Sequence, residues 1–219
     1  MNSLATAREA PRPQLRGVLH QVGFVAACAV GIALVAGADG RRQLASAVLA
    51  VSAAMMLGIS ALYHRGDWSG RALLWMRRAD HAGIYILIAG TYTPVGLLAL
   101  HGPLQIVVLA VVWSGAAAAI LTKVCWVDAP RWLAALLALA LGWVGVVAVP
   151  QLVRSAGPAA VALLAAGGLA YSAGALVYAR RRPDPIPDVF GFHELFHALT
   201  LVALACQYVA IAFFVIRVD

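Results

Sequence analysis

Seven long apolar runs dominate this chain, at residues 18–36, 44–63, 81–100, 104–122, 132–149, 158–178 and 192–216. A bilayer's hydrocarbon core is about 30 Å thick and a helix rises about 1.5 Å per residue, so a crossing takes about 20 apolar residues. Each run is long enough to cross, and Gly, Pro or charged residues break the chain between runs. Of the 219 residues, 63% are hydrophobic and 11% charged; a soluble domain carries about a quarter charged residues. The expectation is an all-α membrane protein of seven transmembrane helices. Residues 1–17 form a short polar segment and 18–219 a single membrane domain. No small-residue cleavage site follows the polar segment, so the first run is expected to be a retained helix rather than a removed signal peptide.

The basic residues fix an expected orientation. Arg8, Arg12, Arg16, Arg65, Arg71, Arg77, Arg78, Lys123, Arg131 and Arg180 to Arg182 fall on one side of a seven-span chain, twelve in all. Arg41, Arg42, Arg154 and Arg217 fall on the other. Cytoplasmic loops carry the excess of Lys and Arg, so the N-terminus is expected inside and the C-terminus outside. Scattered at span boundaries, these charges are a topology signal and not a nucleic-acid footprint. Cys28, Cys125 and Cys206 lack ligand spacing and read as small apolar residues.

Three further local features are expected. Trp68, Leu74 and Trp75 interleave with Arg71, Arg77 and Arg78, which suits a short helix lying in the interface. The Pro-rich stretch 180–188 is expected to be extended. Pro94 is expected to kink the third span.

Ionisable side chains collect at three helix ends on the basic side: His64 closing the second span, Asp80 and His81 opening the third, and His193, Glu194 and His197 opening the seventh. Such groups are costly at membrane depth and mark function. His193 and His197 are one helical turn apart, so both rings leave the same face and can bind one metal. Ser60 has the same spacing to His64. Three neutral imidazoles from His64, His193 and His197 would leave one position of a tetrahedral Zn²⁺ open for water, the pattern of a catalytic site. Asp80 would orient or deprotonate that water, with Ser60 beside it. His193-Glu-Leu-Phe-His197 also fits the H-E-x-x-H pattern, which makes Glu194 a rival base to Asp80. Asp80 is preferred.

Ser60-x-x-x-His64, Arg78-Ala-Asp80-His81 running into Ile88-Ala-Gly-Thr-Tyr-Thr-Pro94, and Gly191-Phe-His-Glu-x-x-His197 together resemble the bacterial hemolysin III family. That family is related to the progestin and adipoQ receptors and, more distantly, to alkaline ceramidases. The resemblance implies seven helices in a bacterial inner membrane and a cytoplasmic N-terminus. It also implies zinc on the histidines at 64, 193 and 197, with Asp80 and Ser60 near the bound water.

Simpler roles stand beside these. His20 and His101, without partners at ligand spacing, read as hydrogen-bonded or solvated, and His81 as a residue of helix packing or of the surroundings of the metal site. Asp80 has alternatives as the ion-pair partner of Arg77 or Arg78 or as an N-terminal cap, and Glu194 as a charge in the first turn of its helix. The preferred function is a zinc-dependent hydrolase acting on a membrane lipid amide or ester at the cytoplasmic interface. One alternative is a non-enzymatic, receptor-like regulator of membrane lipid state with structural zinc. A second is a pore-forming cytolysin, which the lack of charged groups in the outer half of the spans argues against as the native role.

Overall fold

The computed structural model describes residues 13–218. Arg8 and Arg12, two of the basic residues counted for topology, lie outside the described residues. Seven helices are long and apolar enough to span: α1 (Val18–Ala36), α2 (Gly40–Arg65), α3 (Gly70–Ala99), α4 (Gly102–Cys125), α5 (Arg131–Ser155), α6 (Gly157–Arg180) and α7 (Phe192–Val215). The only β pairing among the described residues is an isolated bridge between Ile186 and Phe190.

One helix differs from expectation. The stretch carrying Arg71, Leu74, Trp75, Arg77 and Arg78 is not a separate interfacial helix; α3 runs through it without interruption from Gly70. No Gly or Pro stands between Arg71 and Ala79, so nothing in the sequence breaks the helix there. Asp80 and His81 therefore sit about three turns inside α3 rather than at its start. At Pro94, whose ring removes a backbone donor, α3 continues as a π-helical turn over Val95–Ala99. Arg180 ends α6, and the Pro-rich stretch after it is non-helical but turns at 187–189 rather than staying extended throughout.

The helices close into a ring. α1 packs on α2 and α7, α2 on α3, α3 on α4 and α5, α5 on α6, and α6 on α7. Lipid tails are as apolar as leucine, so packing of small residues rather than hydrophobic exclusion holds such helices together. On α2 the inward stripe is Ala45, Leu49, Ser52, Ala53, Met56, Leu57 and Ser60, all buried and repeating every three or four residues. Gly90 of α3 meets that stripe. A Cβ at Gly90 would lie 1.9 Å from Ser52 Oγ, so only a hydrogen fits between the two helices. Val22, Ile32, Ile106 and Leu169 point outward into the lipid-facing surface.

α5 changes its winding in mid-span, passing from α-helix through a 3₁₀ stretch over Val144–Ala148. Tyr92 of α3 secures that point. Its hydroxyl donates to the Gly142 carbonyl and accepts from the Gly145 N–H, both at 2.7 Å. Trp143 Nε1 donates to Ser172 on α6 at 3.0 Å, tying the same region to the next helix.

The segment before α1 is tied to the loop before α7. The N–H groups of Gln14 and Leu15 donate to the carbonyls of Asp188 and Val189 at 3.0 and 3.2 Å. Asp184 accepts the Phe192 N–H at 2.7 Å, satisfying one of the free donors at the start of α7. Gly17 turns the chain into α1 with φ +77, and a Cβ there would come within 2.8 Å of the His64 Cβ. Glycine is needed at that position on both counts, left-handed backbone and lack of space.

Candidate metal centre

His64 lies on the last turn of α2, and His193 and His197 on the first two turns of α7. One ring nitrogen from each imidazole lies within 4.8 Å of the other two. His64 Nε2 and His193 Nε2 are 3.1 Å apart. Two ligands on a tetrahedral ion with ~2.1 Å bonds sit about 3.4 Å apart, so this pair is near metal-ligand spacing and the cluster can hold a metal ion. The rings are mutually tilted, by 71° between His64 and His193, by 59° between His64 and His197 and by 60° between His193 and His197. They converge from two helices without stacking on one another.

Asp80 comes in from α3. Its Oδ2 is 4.0 Å from His64 Nε2, and the buried Ser60 side chain of α2 lies beside its carboxylate. The ion-pair alternative for Asp80 does not form with Arg77, which binds Asp128 at 2.8 Å. Arg78 lies over the Trp75 ring, 4.9 Å from its centroid. α2, α3 and α7 thus bring His64, Ser60, Asp80, His193 and His197 to one end of the bundle.

Glu194 has a different environment. Its side chain is 1% exposed, and Arg16 Nε donates to one carboxylate oxygen at 2.5 Å. The Gly191 N–H donates to the other at 2.9 Å. Both oxygens are therefore engaged by the segment before α1 and by the first turn of its own helix.

The structure adds a residue that sequence spacing passed over. His20, on the first turn of α1, is neither solvated nor hydrogen-bonded, contrary to expectation. It is 2% exposed, and both ring nitrogens lack a partner among the described residues. Its ring stacks on His197 with centroids 3.7 Å apart and planes 6° apart. The available signal was its place, an unpaired imidazole at the same end of a span as the other three. His101 heads α4 at the opposite end of the bundle, where its backbone pairs with Gln151.

A ring of seven apolar helices with a three-imidazole cluster at one end defines a polytopic membrane protein with a candidate metal site. Residues 8–208 match the family described as Haemolysin-III related, and the chain belongs to that family. It is 35% identical to the Hemolysin-3 homolog of Bacillus subtilis (strain 168) over 139 residues, 64% of this chain and 62% of that protein. It is 34% identical to Hemolysin-3 of Bacillus cereus over 137 residues, 63% of this chain and 60% of that protein. The chain thus spans about three fifths of the length of these two Bacillus relatives. The heptahelical transmembrane protein ADIPOR2 of Oryza sativa subsp. japonica is 35% identical over 191 residues, 80% of this chain and 83% of its own length. Fold and family together make this a multi-pass bacterial membrane protein.

Proposed function

We propose that the chain is a zinc-dependent hydrolase that cleaves an amide or ester bond of a membrane lipid, with its site at the cytoplasmic interface. The observation that carries this is the convergence of His64, His193 and His197 within 4.8 Å, with Asp80 4.0 Å from His64. The basic end of the bundle holds that site, and the excess of Lys and Arg there supports a cytoplasmic location. Zinc on the three imidazoles would polarise a carbonyl and make water reactive at neutral pH.

The chain's own residues would do the rest. Asp80 accepts the proton of the attacking water and returns it to the leaving amine or alcohol, a general acid–base role. Ser60, buried beside the Asp80 carboxylate, would donate its hydroxyl to it and so fix the direction from which the proton is taken. Glu194, engaged by Arg16 and the Gly191 N–H, serves to anchor α7 rather than to act as the base. A scissile bond at this end of the bundle would lie near the headgroup region, with the acyl chains along the apolar helix faces.

One observation favours the receptor-like alternative. The three imidazoles come from α2 and α7, and α1 packs against both of those helices, so a bound metal would staple α2 to α7 across α1. The Asp80→Ala protein separates the two functions. Purified and presented with mixed phospholipids and ceramides, it is expected to keep its zinc and lose lipid turnover. If wild-type protein with full zinc releases no fatty acid from any of these lipids, the hydrolase fails and structural zinc stands.

A further inference from the structure

A second polar cluster adjoins the imidazoles, and it is almost wholly cationic. Lys123, near the end of α4, is 2% exposed, and its ammonium donates to one group, the Ala129 carbonyl, at 3.3 Å. The 128–131 segment gathers the rest: Arg77 of α3 bonds Asp128, Arg131 opens α5 two residues after Ala129, and His81 lies one turn beyond Arg77 on α3. Buried His81 Nδ1 and Arg131 Nη1 have no hydrogen-bond partner among the described residues. Asp128 is the carboxylate paired with this group. It binds Arg77 at 2.8 Å but is itself 76% exposed. Among the described residues the one ion pair made by these three cations is to that well-solvated carboxylate.

A topology signal does not require this arrangement. Arginines that only set orientation can reach out into water, whereas here a lysine is buried and donors face inward unsatisfied. Like charges packed together out of water are costly unless an anion joins them. The cluster is also directed towards the metal centre. The Arg131 guanidinium lies 5.5 Å from the centroid of the Tyr178 ring, and that ring is 6.1 Å from the ring of His193. One aromatic side chain thus separates the cations from the imidazoles.

We propose that Lys123, Arg131 and Arg77, with His81, form a binding site for a phosphate group beside the metal centre. A phosphate offers three or four acceptor oxygens to two forked guanidiniums and an ammonium, a better match than a carboxylate's two. Phosphates of lipid headgroups lie at this depth of the bilayer. Assigning the phosphate to a lipid substrate rests on the hydrolase reading; the anion site itself does not.

The test is thermal melting of the purified full chain in phosphate-free detergent. It is titrated with dihexanoyl phosphatidic acid, with dihexanoylglycerol lacking the phosphate, and with inorganic phosphate. The phosphatidic acid is expected to raise Tm saturably and the phosphate-free glycerolipid not to. Lys123→Met and Arg131→Gln are each expected to weaken the response at least tenfold, and Arg71→Gln, an exposed arginine at the same end, less than twofold. Without ligand, Lys123→Met is expected to melt no lower than wild type, since it removes a buried cation, so lost binding is distinguished from lost fold. Inorganic phosphate acting as potently as the lipid supports the site and assigns it to free phosphate. No saturable shift with either phosphate probe, or unchanged responses in Lys123→Met and Arg131→Gln, overturns it. Zinc content and lipid turnover, measured on the same samples, report on the hydrolase separately. Phosphate binding without turnover sinks that reading alone.

Discussion

The imidazole of His20 lies flat on that of His197, 3.7 Å between centroids and 6° between planes, while the other contacts among the site histidines are tilted. α1 thereby supports a candidate ligand on α7 without contributing one to the cluster. Residues that orient metal ligands typically influence affinity about 10–100-fold. His20→Ala is therefore expected to weaken metal binding by about tenfold or more, measured by competition with a metallochromic chelator. His20→Phe keeps a flat ring in place and is expected to recover most of that loss. If Phe is as damaging as Ala, the ring nitrogens rather than the stack are what matter.

The Arg16–Glu194 pair joins the segment before α1 to α7, and its carboxylate is buried. Removing one partner of such a pair leaves an uncompensated charge, at a cost of about 3–5 kcal/mol. Arg16→Ala is expected to lower the apparent Tm sharply, and Glu194→Gln in the same chain to restore part of it. Glu194→Gln alone is expected to keep measurable lipid turnover under conditions where Asp80→Ala shows none. Equal loss in both variants would restore Glu194 as a candidate base.

Gly90 and Ser52 set the approach of α3 to α2, and with it the position of Asp80 relative to His64. A methyl group at Gly90 would meet Ser52 Oγ at 1.9 Å and its Cβ at 2.5 Å. Overpacking of this kind costs about 1–3 kcal/mol. Gly90→Ala is expected to lower Tm, and Ser52→Gly to relieve it in the double variant. A Gly90→Ala protein that melts like wild type would show that the two helices separate freely at this point.

The fold was largely legible because the bilayer makes length and apolarity decisive. The run at 18–36 coincides with α1, and all seven runs fall on spanning helices. The interfacial helix was misplaced because interleaved Trp and Arg look alike on a helix lying in the interface and on one extending beyond it. Continuity depends on the absence of breakers from Arg71 to Ala79, a weaker cue than amphipathic pattern. The one-turn spacing of His193 and His197 made two of the three imidazoles readable as a pair, and shared depth added His64. His20 was missed because spacing reports only neighbours on one helix. Its contact with His197 exists because the ring closes α1 against α7. The Lys123–Arg131 cluster was hidden for a related reason. As sequence these residues are boundary charges, and only the packing of α3, α4 and α5 shows that they gather round a buried Lys123 and a single ion pair among the described residues.

The central claim is that three imidazoles on two helices hold one metal ion. It is tested most directly by the zinc content of the purified chain and of its His64→Ala, His193→Ala and His197→Ala variants, by elemental analysis after extensive dialysis. About one zinc per wild-type chain is expected, with loss of most of it in every single variant, because two imidazoles leave too few protein ligands for a stable site. Wild-type protein free of zinc after refolding or purification in its presence, or full retention in all three variants, would contradict the account.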